Sequence, residues 1–355
     1  MSDTAEDLLL RRSKRIFAVD RRTWNAACDL GMNEAVCYLV IASGTGGDQR
    51  TSSWSATAIE KYTGIHHRRA TAAIQRLEAE KLVAVVKNGS FRRYSLQPAC
   101  AVPSVIKRAT AGQRRITAQQ QEIVGQLLLP EWIWLPNSLI EGAADETSPV
   151  KLLRQSQNLN ALRLFINFYY HHDLTADHGI DWRIRSGIRE EYTRKEIGHH
   201  GNHKIWAFKP LQYNVSTITD FYFDGFWDCF HLLKDAGLIE FVAHLVEGDS
   251  DDAEIIHPLP YPDTGESGEQ EITKQAINAA RLMVPYFTDK STMLVPVLSR
   301  LGNVQLIGIA RLKYRPHTTK TAEWQSNVSE WKKYASGFEA MAAQNKDSGI
   351  KVASR

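Results

Sequence analysis

The chain has no run of about 18 uncharged apolar residues, the length a membrane-spanning helix needs. Its first residues, MSDTAEDLLLRRSKR, hold three leucines in their apolar part, too few for the core of a secretion signal. Cysteine is scarce. Cys28, Cys37, Cys100 and Cys229 are scattered, with no CxxC pair and no metal-ligand spacing, so reduced thiols in a cytoplasm are the expectation. No GxxxxGK[ST] loop exists to hold ATP phosphates, and Ser43-Gly44-Thr45-Gly46-Gly47 lacks both the lysine and the strand-to-helix setting. No GxSxG elbow and no HExxH pair is present. Histidines do gather at His171-His172, His178, His199-His200 and His203, near Asp173 and Asp177. Without a ligand-spaced string they read as histidines of a polar surface. Tyr169-Tyr170 could suggest tyrosine attack on DNA, but their helical apolar spacing places them in a core. The expectation is a non-enzymatic protein with no catalytic residue, no metal and no cofactor.

What is present is a globular composition, 43% hydrophobic over 355 residues, enough for two or three domains. Charge is unevenly placed. Residues 1–115 carry 19 Lys+Arg against 10 Asp+Glu, and the remainder carries 24 against 30. A basic first third joined to a mildly acidic remainder fits a nucleic-acid grip attached to something else.

The chain divides by pattern into a flexible basic arm (1–20), a compact segment (21–98), a polar linker with a helix at Thr117–Leu129 (99–129), a second domain (130–246), an acidic Gly- and Pro-rich loop (247–271), a C-terminal α+β segment (272–345) and a frayed tail (346–355). In the second domain, residues 173–215 read as irregular apart from a strand at Lys204–Phe208. A helix follows at Phe226–Ala236 and a strand at Leu238–Val246. The last third predicts a helix over Ile272–Val284, strands at Met293–Ser299 and Gln305–Tyr314, and a helix over Ser326–Ala343. The fold class is helix-rich α+β.

Residues 33–97 carry the strongest pattern. Asn33 can cap a helix bearing Val36, Tyr38, Leu39 and Ile41, and Ser55 can cap a short second helix. Tyr62-Thr63-Gly64-Ile65 then gives a turn in which Gly64 supplies positive φ and Ile65 plugs the core. In the third helix, His66 to Lys81, Ala70, Ala73, Ile74 and Leu77 share one face, and basic and hydrogen-bonding side chains gather near its start. The β-branched run Leu82–Lys87, Asn88-Gly89 and Phe91–Leu96 make a hairpin. This order resembles the winged helix-turn-helix of GntR- and MarR-type regulators and of the N-terminal modules of plasmid replication initiators, over about a fifth of the chain. The resemblance implies double-stranded DNA as partner. The residues expected to touch it are His66, His67, Arg68, Arg69, Thr71 and Gln75 on the recognition helix, and Lys87, Asn88, Arg92 and Arg93 on the wing. Arg11, Arg12, Lys14 and Arg15 of the arm complete the set.

The join Leu232–Leu238 repeats the pattern of Leu77–Val83, which predicts a second, elaborated winged helix in 130–246. Its helix carries Asp224, Asp228 and Asp235 against one lysine, better suited to protein contact than to phosphate. Trp132–Ile180 resembles proteins of bacterial integrative elements. The basic strand end Arg311–His317 reads equally as a second backbone contact or as a solvated strand edge. The leading expectation is a site-specific duplex DNA-binding protein in transcription regulation or in replication or maintenance of a mobile element. A homodimer or protein partner is expected through residues 130–345. The alternatives are a protein-interaction adaptor in a mobile-element or defence complex, and a metal-dependent nuclease.

Overall fold

The computed structural model describes residues 16–87, 89, 92–111, 128–142, 146–173, 179–180, 188–215, 223–248, 253–261, 264–316 and 330–345. The fold is mixed α+β, with all strand pairs antiparallel. It divides into two compact units. Unit 1 comprises 1–171, 225–238 and 314–318, and unit 2 the remainder. No helix among the described residues is long and apolar enough to cross a membrane.

Unit 1 opens with β1 (Ile16–Asp20) and α1 (Arg21–Leu30), which starts where the Asp20 carboxylate accepts from the Arg22 N–H at 2.9 Å. Strand Ile16–Asp20 is therefore ordered, not part of a flexible arm. Its partner strand, Trp132–Pro136, lies more than a hundred residues on, which sequence proximity could not indicate. Next comes α2 (Met32–Ser43), one residue before the expected Asn33 cap, with Gly31 ahead of it. Every residue of α2 from Glu34 to Ser43 is buried, which makes it the axis of the unit. Glu34 tolerates this because Arg76 donates to it at 2.7 Å.

After the short β2 (Thr51–Ser52) come α3 (Ala56–Thr63) and α4 (His67–Ala79). Ser55 occupies the cap position of α3 but makes no side-chain cap bond. Gly64 has φ +71°, as the tight turn demands, and Ile65 is fully buried behind it. Ala70, Ala73, Ile74 and Leu77 form the buried face of α4. Then β3 (Val83–Lys87) and β4 (Arg93–Leu96) make a three-stranded sheet in the order β2-β4-β3. Gly64→Ala is expected to cost about 1–2 kcal/mol, the penalty of a Cβ in the left-handed region. A lower denaturant midpoint at unchanged slope would register it.

A helix α5 (Pro103–Ala109) follows; the expected helix at 117–129 lies almost wholly outside the described residues. β5 (Trp132–Pro136) pairs with β1, from Asp20↔Trp132 to Ile16↔Pro136. Beyond it are α6 (Ser138–Glu141), α7 (Pro149–Gln155) and α8 (Leu159–Phe168). Ser148 and Asn158 cap the last two through their side chains. Finally α9 (Phe226–Asp235) buries Phe226, Cys229, Phe230 and Leu233 in the same unit, with Phe230 edge-to-face on Phe168 at 6.1 Å.

Unit 2 is a six-stranded sheet in the order β10-β7-β6-β11-β8-β9. Its strands are β6 (Arg189–His200), β7 (His203–Val215), β8 (Ile239–Glu247), β9 (Glu254–Pro258), β10 (Met293–Leu298) and β11 (Val304–Leu312). The helix α10 (Ser267–Met283) and the helical residues 330–345 pack their apolar sides on it: Ile272, Ala276, Ala279, Trp331 and Phe338 join Phe208, Leu245, Met293, Val295 and Leu306 in one core.

This division corrects three expectations. The proposed domain 130–246 is shared between the units, because α9 closes the helical core of unit 1 while β8 is an interior strand of the unit 2 sheet. Residues 189–215 form a long hairpin and not irregular chain; its turn uses Gly201-Asn202, with Gly201 at φ +55°. Strand β9 and the first turn of α10 fall inside the expected acidic loop. The Glu266 and Glu269 side chains reciprocally cap the helix, so those acids mark its start.

Arg311 is a fourth correction. It is neither a phosphate contact nor a solvated edge, since it is fully buried. Its Nη1 donates to both Glu269 carboxylate oxygens, at 2.8 and 3.0 Å, and its Nη2 donates to His244 Nε2 at 2.8 Å. His244 Nδ1 in turn faces the Val242 carbonyl at 2.8 Å. Burial first, then the Arg311 charge, holds His244 well below the usual imidazole range.

Candidate nucleic-acid interface

Helix α4 begins on His66, whose Nδ1 accepts from the Arg68 backbone N–H at 3.3 Å. His66 is thus the cap and His67 the first helical residue. From there His67, Thr71, Gln75 and Glu78 run down one exposed side, spaced by three or four residues. They form a wall of a cleft of about 360 Å³. Ser55, Ala56 and Thr57 at the start of α3 form a second wall, and Gly89, Arg92 and Tyr94 of the β3–β4 hairpin a third. The Thr71 hydroxyl donates to the His67 carbonyl at 2.9 Å, which leaves its oxygen outward as an acceptor.

Of the residues expected to touch DNA, the fold brings His67, Thr71, Gln75 and Arg92 into this one cleft. His66, Arg68 and Arg69 are exposed beside it at the helix start, and Lys87 and Arg93 are exposed on the hairpin. Lys87 and Arg93 are direct cross-strand partners, next to an irregularity between Val85 and Lys87. Like charges placed opposite each other destabilise a strand pair unless an anion lies between them. Arg11, Arg12, Lys14, Arg15 and Asn88 lie outside the described residues.

Ser55 entered the sequence reading only as a helix cap, and Thr57, Glu78 and Tyr94 were not among the residues expected at the site. Ser55 and Thr57 flag the start of α3, but their place in the sequence does not show that they share a cleft with the middle of α4. Glu78 gives no such signal.

Two groups of arginines in unit 1 contrast. Arg21 and Arg22 pair with Glu131, Arg76 with Glu34, and Arg108 and Arg163 with Asp29. Arg68, Arg69, Arg92 and Arg93, together with Lys87, make no ion pair among the described residues. The first set ties elements together; of the second, Arg92 lines the cleft and the others stand exposed at the start of α4 and on the hairpin.

Other candidate chemistry gains no geometry. Among the described residues there is no group of three or more His, Cys, Asp or Glu able to hold a metal. Tyr169 is buried and donates to the Tyr314 carbonyl at 2.5 Å; Tyr170 is half-exposed under the Arg21 guanidinium, 4.5 Å from the ring centre. Burial pushes the Cys28 thiol up to about 12 and raises Cys37 further, so neither is a nucleophile at neutral pH. No protein family, curated protein or solved structure matches this chain.

Proposed function

We propose that residues 33–97 are a winged helix-turn-helix that binds double-stranded DNA site-specifically. In this reading α4 enters the major groove, the β3–β4 hairpin is the wing, and the protein serves transcription regulation or replication and maintenance of a mobile element. The observation that carries the proposal is five exposed cations without an ion pair among the described residues at the start of α4 and on the β3–β4 hairpin: Arg68, Arg69, Lys87, Arg92 and Arg93. His67, Thr71 and Gln75 then read base edges while the five cations hold phosphates.

Five phosphate contacts give an expected slope of about −4 to −5 in log affinity against log salt. Titration of duplex at several salt concentrations measures it, and salt-insensitive or absent binding would sink the proposal. Selection from a random duplex pool separates the two roles: a palindrome indicates a dimeric regulator and direct repeats an initiator.

A second reading has its own observation. Trp132 and Trp134 alternate on β5 with buried Ile133 and Leu135 and stand 40% and 41% exposed. Paired exposed tryptophans on one strand face suit a protein partner or a second copy of the chain. Trp134→Ala that abolishes self-association or partner capture, with duplex affinity unchanged, is the expected outcome; unchanged association would remove this reading.

A further inference from the structure

Unit 2 has an open-sided cleft of about 180 Å³, between the sheet and the helical residues 330–345. Leu245, Val297 and Phe338 contribute hydrocarbon walls, and the size is that of a single aromatic ring, since an apolar cavity of roughly 150 Å³ accommodates benzene. One wall is different. His257 lines the cleft and is 4% exposed, with its Nδ1 3.0 Å from the Pro258 carbonyl oxygen. A carbonyl only accepts, so the proton sits on Nδ1 and Nε2 carries a lone pair. No described residue donates to that lone pair. Burial pushes His257 down to about 4, so the ring stays neutral at physiological pH. A second imidazole at the same cleft, His203, has its Nε2 buried without a partner. The cleft thus offers an acceptor lone pair, without a protein donor among the described residues, in a mostly hydrocarbon lining.

We propose that this cleft binds a small, neutral, single-ring molecule of the phenol class, whose hydroxyl donates to His257 Nε2. A carboxylate has no proton to give that lone pair and would turn instead to Lys333 of the lining, and a plain hydrocarbon makes no hydrogen bond there. The site is separate from the DNA cleft and does not depend on that reading.

Calorimetric titration of the full chain with phenol, toluene and benzoate tests it. Phenol is expected to saturate one site and to bind about five- to tenfold tighter than toluene, the increment of one hydrogen bond. His257→Phe keeps a ring and removes the lone pair, so phenol should fall to the toluene level while toluene is unchanged. Gly337 lines the cleft, and a Cβ there meets no atom within 4 Å. Gly337→Leu should therefore fill the cleft and abolish binding of both, while improving the helix. Equal affinity for phenol and toluene, tightest binding of benzoate, binding that survives Gly337→Leu, or no saturable binding at millimolar phenol would each overturn the proposal.

Discussion

Reversing both charges at the start of α4, R68E/R69E, is expected to lower duplex affinity by about a hundredfold or more near physiological salt. Each arginine that neutralises a phosphate releases a condensed counterion, and each glutamate in its place adds repulsion. The slope of log affinity against log salt should fall in magnitude by about two. Stability should barely change, because both side chains are exposed and neither makes an ion pair among the described residues. That separation of readouts gives the test its force: a lost slope at constant melting temperature can only come from the binding surface. Unchanged affinity would move the interface elsewhere. Arg76 is the contrasting case. It sits on the same helix but holds buried Glu34, so its loss should appear in stability first.

Arg311→Met is the second large effect, a loss of about 3–5 kcal/mol in the stability of unit 2. The cost arises less from the missing attraction than from what remains. Glu269 would be left charged and fully buried, and His244 Nε2 would lose its donor. R311M/E269Q should recover most of the loss, since the amide oxygen can still accept from the Glu266 N–H that starts α10. A loss under about 1 kcal/mol for R311M would mean that the pair contributes nothing net. The same cluster sets a pH dependence. His244 and His257 have folded pKa values below their unfolded ones, so the unfolded chain takes up protons first as pH falls. Their contribution is complete above about pH 6.5 and is lost downward through the folded values, about 4 for His257. Each histidine adds a slope of about 1.4 kcal/mol per pH unit in that window. H257F should remove one of the two slopes, as read by urea midpoints between pH 4 and 7.

Unit 1 shows how far local rules reach. Gly64, Ile65 and the Ala70–Leu77 stripe were legible because turn chemistry and helical period are properties of neighbouring residues. The helix Phe226–Asp235 was legible for the same reason, but its destination was not. An amphipathic face does not say which core it completes, and here the core was α8 and not a second winged helix. Strand β6, REEYTRKEIGHH, hid because its side chains are partly exposed on both faces and show no clean alternation. Arg311 misled for a related reason. A charge in the apolar run LIGIARL looks like an edge until its partner is known, and Glu269 lies in a segment whose acids read as a loop. At the candidate site, the basic residues were legible as types, whereas the cleft that gathers His67, Thr71, Gln75 and Arg92 arises only when the hairpin folds back beside α4.

The pairing of β1 with β5 also imposes an order on biosynthesis. Asp20 waits for Trp132, so the first ordered strand leaves the ribosome well before the strand it needs. At roughly 5–20 residues per second that wait is several seconds to some twenty seconds. During it the apolar strand IFAVD has no partner and offers an open edge to any other nascent chain. The helices between Arg21 and Ala109 can form in that time, before the two strands pair. A translational pause placed after Pro136 would let that closure finish; one placed before Trp132 would prolong the exposed state and favour aggregation.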